Sequence, residues 1–398
     1  NIGIGYQSLL QATTATNNVS IGTGSLYSNI HGDCNTAIGH QALYANKCGS
    51  NTAVGFLALN ANTTGYYNTA VGSLANRCNT IGILNTTVGM YAGHHNTEGS
   101  SNTAIGYSAS YSNTCGGENT AVGQSALYKN TTSLNTAVGG CALICQTTGG
   151  CNTAMGFHAM FKNCDGIKNV AIGAQVMCAG SGGDYNTAVG YQANRLLTTG
   201  TTNSVFGYQA MYSNTIGCSN VALGASTLHS NITGDWNVAI GHSALYNNNK
   251  TGYNTAVGHE ALCSSIDAVD SVAIGFRALC KATADGNTAL GSSALRNTTT
   301  GCFNMAIGYQ TLFNNAEGTH NTAVGERALY STCTGTHNTG LGSTALYGNT
   351  TGLFNVGIGV NAGCNNTDGD CNVFTGYAAG RYLANGSTNL TSPDNSTY

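Results

Sequence analysis

Apolar and polar positions recur along this chain with a fixed period. A three-residue apolar run ends on a Gly, a second short run begins with a small residue, and a polar stretch rich in Asn, Thr and Ser follows. Asn254-Thr-Ala-Val-Gly-His-Glu-Ala-Leu262 is a typical opening. Counting from the Asn, 23 units start between Asn1 and Asn372, at intervals of 17 residues in 19 cases and 16 in three (35 to 51, 119 to 135, 271 to 287). A period that does not drift reports geometry. Position 5 is Gly in all 23 units, as at Gly55, Gly123, Gly190, Gly258 and Gly325, and position 1 is Asn in all but one, Ser271. Position 3 is mostly Ala and position 8 Ala or another small residue. Position 4 is aliphatic in most units, and position 9 is Leu or Met in 17.

Helical repeats need about 33–47 residues per unit. Seventeen residues divided by Gly and Asn instead predict two short strands, at positions 2–4 and 8–10, joined by two turns. Such a unit is one coil of a parallel β-solenoid. The fold expected is therefore all-β, a solenoid of about 23 coils spanning residues 1–386, with 387–398 as a linker or terminal cap. Coils stack about 4.8 Å apart, which gives a rod of roughly 105 Å. Gly at position 5 supplies a positive φ or a close approach between coils, and Asn at position 1 stacks as an amide ladder. Coils 68–84, 85–101 and 186–202 carry Asn76, Gly93 and Asn194 at position 9 and are expected to be local kinks.

The large residues at positions 4 and 9 are the expected core. Alternation then turns the Ala of position 3 outward, as a ladder on which a second chain packs closely. Two large residues per coil make a small core, so the expectation is lateral self-association, with a closed homotrimer favoured and end-to-end joining into filaments as a further option.

Composition sharpens this picture. Charged residues make up 7% of the 398, against roughly 25% in an average domain, with 56 Gly and one Pro. A net charge of −3 offers no basic footprint for nucleic acid, and no run of about 18 apolar residues marks a membrane span. The chain opens directly on a repeat at Asn1, which suggests a segment or mature product of a longer protein.

The 16 Cys avoid positions 1–6, 8 and 9. Cys263 and Cys280 share position 10 in neighbouring coils, close enough for a disulfide. Cys145 or Cys151 with Cys164, and Cys364 with Cys371, are further candidate pairs, whereas Cys78 and Cys218 have no stacking neighbour. Disulfides imply an oxidising setting: extracellular, cell surface or virion surface. No paired C-x2-C zinc spacing occurs, so no metal and no cofactor is expected. Glycosylation sequons at positions 11–13 fall at Asn62, Asn130, Asn231, Asn249, Asn297, Asn349 and Asn365, along one edge of the coil. The competing explanation is that Asn-Thr-Thr-Gly is good turn chemistry. Tyr recurs at positions 6 and 10, where packing at a rim or chain interface outweighs a sugar-binding row. His and acidic residues hold no fixed phase and no phosphate loop is present, so no enzymatic activity is expected. The pair His94-His95 reads as a solvated turn.

Ser271-Val-Ala-Ile-Gly-Phe-Arg-Ala-Leu279, with Asn169-Val-Ala-Ile-Gly173, Asn237-Val-Ala-Ile-Gly241 and Asn304-Met-Ala-Ile-Gly308, resembles the head repeat of trimeric autotransporter adhesins. The units with Asn-Thr-Thr-Gly, at Asn62 to Gly65 and Asn349 to Gly352, are also similar to repeat arrays of tail-fibre-like and giant-virus surface proteins. The resemblance covers residues 1 to about 386. It implies a trimer of parallel β-rolls and, on the adhesin side, binding to host or surface ligands. The 17-residue period and the many Cys depart from the adhesin pattern. The expected function is a non-catalytic structural component of an extracellular or virion-surface fibre. The alternative is an adhesin or receptor-binding head for surface ligands or glycans, and ice binding by the Thr of position 2 is a minor one.

Overall fold

A computed structural model describes residues 1–180, 182–381, 394, 396 and 397. The chain divides into two compact units, Asn1–Thr201 and Thr202–Tyr398. Both are parallel β-solenoids with the expected 17-residue coil, and among the described residues neither contains a helix.

In the first unit, twelve three-residue strands, β1 (Ile2–Ile4) to β12 (Thr187–Val189), occupy positions 2–4 of successive coils. They pair in parallel and in register: Ile2 with Val19, Thr69 with Thr86, Val170 with Thr187. In the second unit, β13 (Ser204–Phe206) to β23 (Val373–Thr375) repeat the arrangement, with Val238 opposite Thr255 and Val356 opposite Val373. Register holds through the coils with Asn76 and Gly93, where kinks were expected.

The second strand predicted at positions 8–10 does not form. Residues at positions 7, 9 and 17 take left-handed backbone conformations, as at Gln41 (φ 51°), Leu43 (φ 52°) and Cys34 (φ 57°), which breaks the extended geometry a strand needs. The segment still bonds to the next coil, Leu26 N–H to the Ala42 carbonyl and Ser28 N–H to the Tyr44 carbonyl, both at 3.0 Å. A left-handed conformation costs a Leu about 1–2 kcal/mol. Burial of the Leu side chain offsets it, as at Leu43, Leu127 and Leu245.

The inside of the coil is the reverse of what residue size suggested. Ala at position 3 faces inward and is fully buried, as at Ala37, Ala53 and Ala121, together with Ala at position 8 and Leu or Met at position 9. The aliphatic residue at position 4 faces outward: Ile38 is 38% exposed and Val71 37%. Alternation had correctly placed positions 3 and 4 on opposite faces. The narrow cross-section decides which one goes in, because two Asn also lie inside.

These Asn hold the coil together. At position 1 the amide oxygen accepts the main-chain N–H of the next Asn, from Asn35 to Asn18 at 2.8 Å and from Asn169 to Asn152 at 2.9 Å. The amide nitrogen crosses its own coil to the carbonyl at position 15, as Asn18 does to Gly32 at 2.9 Å. Ser271 keeps the ladder with a longer bond, 3.4 Å from Asn287 N–H to its hydroxyl. A second ladder runs at position 12, where Asn79 donates to the Asn62 side chain at 2.8 Å and to the Gly82 carbonyl at 3.0 Å. Position 5 is Gly for two reasons at once. Gly55 has φ +142°, and a Cβ there would lie 2.4 Å from the Gly72 carbonyl oxygen.

Candidate functional site

Three arrangements could carry function. The first is the outer face of the strands. Positions 2, 4 and 6 point the same way. Position 2 contributes Thr or Val, position 4 aliphatic residues, and position 6 includes Phe56, Tyr107 and Phe157 in the first unit and Tyr208, Phe276 and Tyr309 in the second, all exposed. In the first unit none of these positions holds Asp, Glu, Lys or Arg, and in the second only Glu326 does. Five residues at about 3.3 Å make the face about 13 Å wide. Twelve strands about 4.8 Å apart make it about 53 Å long in the first unit, hence about 700 Å². Exposed apolar patches beyond a few hundred Å² mark interaction surfaces.

The second arrangement joins Glu260, Cys263, Arg277 and Cys280. Cys263 and Cys280 stack as expected, with Sγ atoms 2.8 Å apart, and are thiols like the other 14 Cys. The hydrogen bond from Cys280 draws the Cys263 thiol down from its ordinary value of 9.0 to about 7, while the same bond and burial push Cys280 up. Glu260 and Arg277, both at position 7 of their coils, form an ion pair at 2.5 Å that lowers the Glu260 pKa. The thiols of Cys145 and Cys164 also meet, and burial, with Cys145 beside it, raises the Cys164 pKa. No sulfur contact joins Cys364 to Cys371 among the described residues.

The third arrangement builds on the Tyr that recur at position 10. Position 10 stacks aromatic rings up the coil: Tyr27 on Tyr44 at 4.9 Å, Tyr111 on Tyr128 at 5.0 Å, Tyr330 on Tyr347 at 5.1 Å. His94 belongs to this column, stacked on Tyr111 at 5.2 Å with the two ring planes nearly parallel. It is only 6% exposed, so the solvated turn expected of His94-His95 does not hold for His94. The ring column explains the difference: position 10 is a stacking site whatever residue fills it. Burial, reinforced by His95 and Arg77, lowers the His94 pKa to about 4, so its imidazole is neutral at pH 7. Its Nδ1 is buried without a hydrogen-bond partner. His95 packs edge-on against the same Tyr111 ring at 4.9 Å. Cys78 N–H donates to the His94 carbonyl at 3.1 Å and lies at position 11 of its coil, the phase of His95. Nearby, at position 9, Asn76 faces Gly93, and both polar atoms of its side chain are buried and unpartnered.

The sequons divide. Asn62, Asn130, Asn231 and Asn349 belong to the position-12 ladder, fully buried. Their amide nitrogens donate inside the coil: Asn62 to Asn46 at 2.7 Å, Asn130 to the Thr132 carbonyl at 2.8 Å, Asn231 to Asn214 at 3.1 Å, Asn349 to the Gly352 carbonyl at 3.1 Å. A glycan has no room there. Asn249, Asn297 and Asn365, at positions 11 or 13, are half-buried at the surface. Gly123, Gly190, Gly258 and Gly325 share the geometry of Gly55, with φ between +128° and +134°.

Compared with known proteins, the chain matches no family model and no curated protein in sequence.

Proposed function

We infer that the protein is a non-catalytic structural component of a fibre or filament at a cell or virion surface, assembled by lateral contact between copies of this chain. The observation that carries this reading is the neutral outer face of positions 2, 4 and 6. At about 700 Å² in the first unit, it approaches the roughly 800 Å² that each partner contributes to a standard stable interface. An almost uncharged face suits a partner that is equally uncharged, and a second copy of the same ladder meets that condition. The trimer suggested by the adhesin-like repeats would then form through the aliphatic column. The Ala ladder is inside the coil and cannot serve.

Sedimentation equilibrium tests the reading. The expected mass is a multiple of 40.5 kDa, three chains being the favoured number. Replacing Ile38, Val71 and Ile105 together with Lys introduces three charges on this face, one in every second coil, and is expected to shift the mass to one chain. A wild-type protein of single-chain mass would overturn the proposal. The exposed rings at position 6 favour a second reading, an adhesin that binds surface ligands or glycans. Stacking already covers the ring faces at position 10, so carbohydrate contact would fall to position 6. A glycan screen with and without Phe56, Tyr107 and Phe157 addresses it.

A further inference from the structure

Most of the chain's chemistry is engaged by its ladders. Glu260 is held by Arg277, and Cys263 by Cys280. The group around His94 is different, because its donors converge and one has nothing to bond to. One donor atom from each of Cys78, His94 and His95 lies within 4.8 Å of the other two. Cys78 is half-buried, whereas His94 is buried with an unpartnered Nδ1. Buried imidazole nitrogens are normally paired, so an orphan beside a thiol and a second imidazole calls for an explanation.

We propose that Cys78, His94 and His95 bind one transition-metal ion, Zn²⁺ in the first place, with water completing the tetrahedron. One thiolate and two imidazoles suit borderline and soft ions, while Ca²⁺ and Mg²⁺ require oxygen donors. With Zn–S about 2.3 Å and Zn–N about 2.0 Å, tetrahedral donors lie about 3.3–3.8 Å apart. The three side chains therefore need to close by about 1 Å, a rotamer adjustment. The Tyr111 ring fixes both imidazoles, one by stacking and one edge-on. The backbone bonds from Cys78 to His94 and from His95 to Tyr111, at 3.1 and 3.0 Å, fix their Cα positions across three coils. The ion would clip neighbouring coils at the place where the leucine ladder is replaced by Asn76, Gly93 and Ser110. Metal loading does not depend on whether copies associate laterally.

Cobalt substitution is the direct test. Under a non-chelating reductant, the full chain is titrated with Co²⁺ and followed for a thiolate-to-cobalt charge-transfer band. The tightest site of the wild type is expected to show this band and to lose at least about tenfold in affinity in Cys78→Ser and in His95→Gln. The Cys263→Ser/Cys280→Ser double variant should keep it. Zinc X-ray absorption of the wild-type protein at one equivalent should show one sulfur and three nitrogen or oxygen neighbours, two of them imidazoles by their multiple scattering. An all-sulfur shell, or a band unchanged by Cys78→Ser, would overturn the proposal. The wild-type spectrum decides even if a variant fails to fold.

Discussion

At the scale of single residues, stacking converts a small sequence fact into chemistry, because equal phase means contact. Cys263 and Cys280 fall at the same position one coil apart, and their sulfurs meet at 2.8 Å. One thiolate is then stabilised by the other thiol's proton, which is why Cys263 falls to about 7 while Cys280 rises. At pH 8 the pair carries a thiolate that an ordinary Cys, with pKa near 8.5, largely lacks. Alkylation of Cys263 by iodoacetamide should rise with pH to half its maximum near pH 7 and plateau well before that of free cysteine does. In Cys280→Ala the Cys263 midpoint should return toward the ordinary thiol range. Peptide mapping at several pH values reads both. Mild oxidation should cross-link the two residues with loss of two hydrogens, and closing a loop of this length is worth about 3 kcal/mol. A Cys263 midpoint equal to that of free cysteine would refute the pairing.

At the scale of the element, the strand shows which inferences the sequence supports and which it does not. Period, parallel register and the need for Gly at position 5 were legible, since each follows from strict recurrence. The inward face was not. Alternation supplies parity without sign, and residue size pointed to Val and Ile, but the side chains of positions 1, 9 and 12 occupy most of the coil and in most units leave a space of Ala size at position 3. The position-12 ladder was readable as Asn in 14 of the first 22 coils, yet its Asn-Thr-Thr-Gly context drew attention to sequons. The absent second strand had a faint signal as well. Asn76, Gly93 and Asn194 at position 9 are residue types that accept the left-handed conformation adopted there. The reversed facing is directly testable in β5 (Thr69–Val71). Ala70→Val adds volume to a fully buried site packed against Leu59 and Ala75 and should cost about 1–3 kcal/mol. Val71→Thr alters an outward position and should stay within about 0.5 kcal/mol. Urea melts of the two variants compare them, and the opposite ranking would restore the size-based assignment.

At the scale of the whole molecule, the scarcity of charge and the treatment of the final coil have one cause. Every residue lies about 4.8 Å from its equivalents above and below, so a charge repeated at one phase would repel itself. Glu260 and Arg277, which share one phase in neighbouring coils, are opposite in sign. A ladder must also stop somewhere, and a bare last strand would offer its unpaired backbone to any other strand. After β23, Asp394, Ser396 and Thr397 imitate the start of one more coil. Asp370 N–H donates to the Asp394 carboxylate at 2.8 Å, as Leu353 N–H does to Asp370 one coil earlier. Ser396 N–H donates to the Asn372 amide oxygen at 2.9 Å, and Val373 N–H to the Ser396 carbonyl at 2.8 Å. Thr397 then pairs with Val373 in parallel. These described residues make the sequence-predicted cap a continuation of the Asn ladder by a segment without the repeat. Ser396→Pro removes the donor to Asn372 and should lower the unfolding free energy of the second unit by about 1 kcal/mol. A chain ending at Arg381 should lose more and associate in a concentration-dependent way through β23, seen as a sedimentation coefficient that grows with loading. If both variants melt and sediment like the full chain, the tail bonds contribute nothing and the last coil is stable with its edge open.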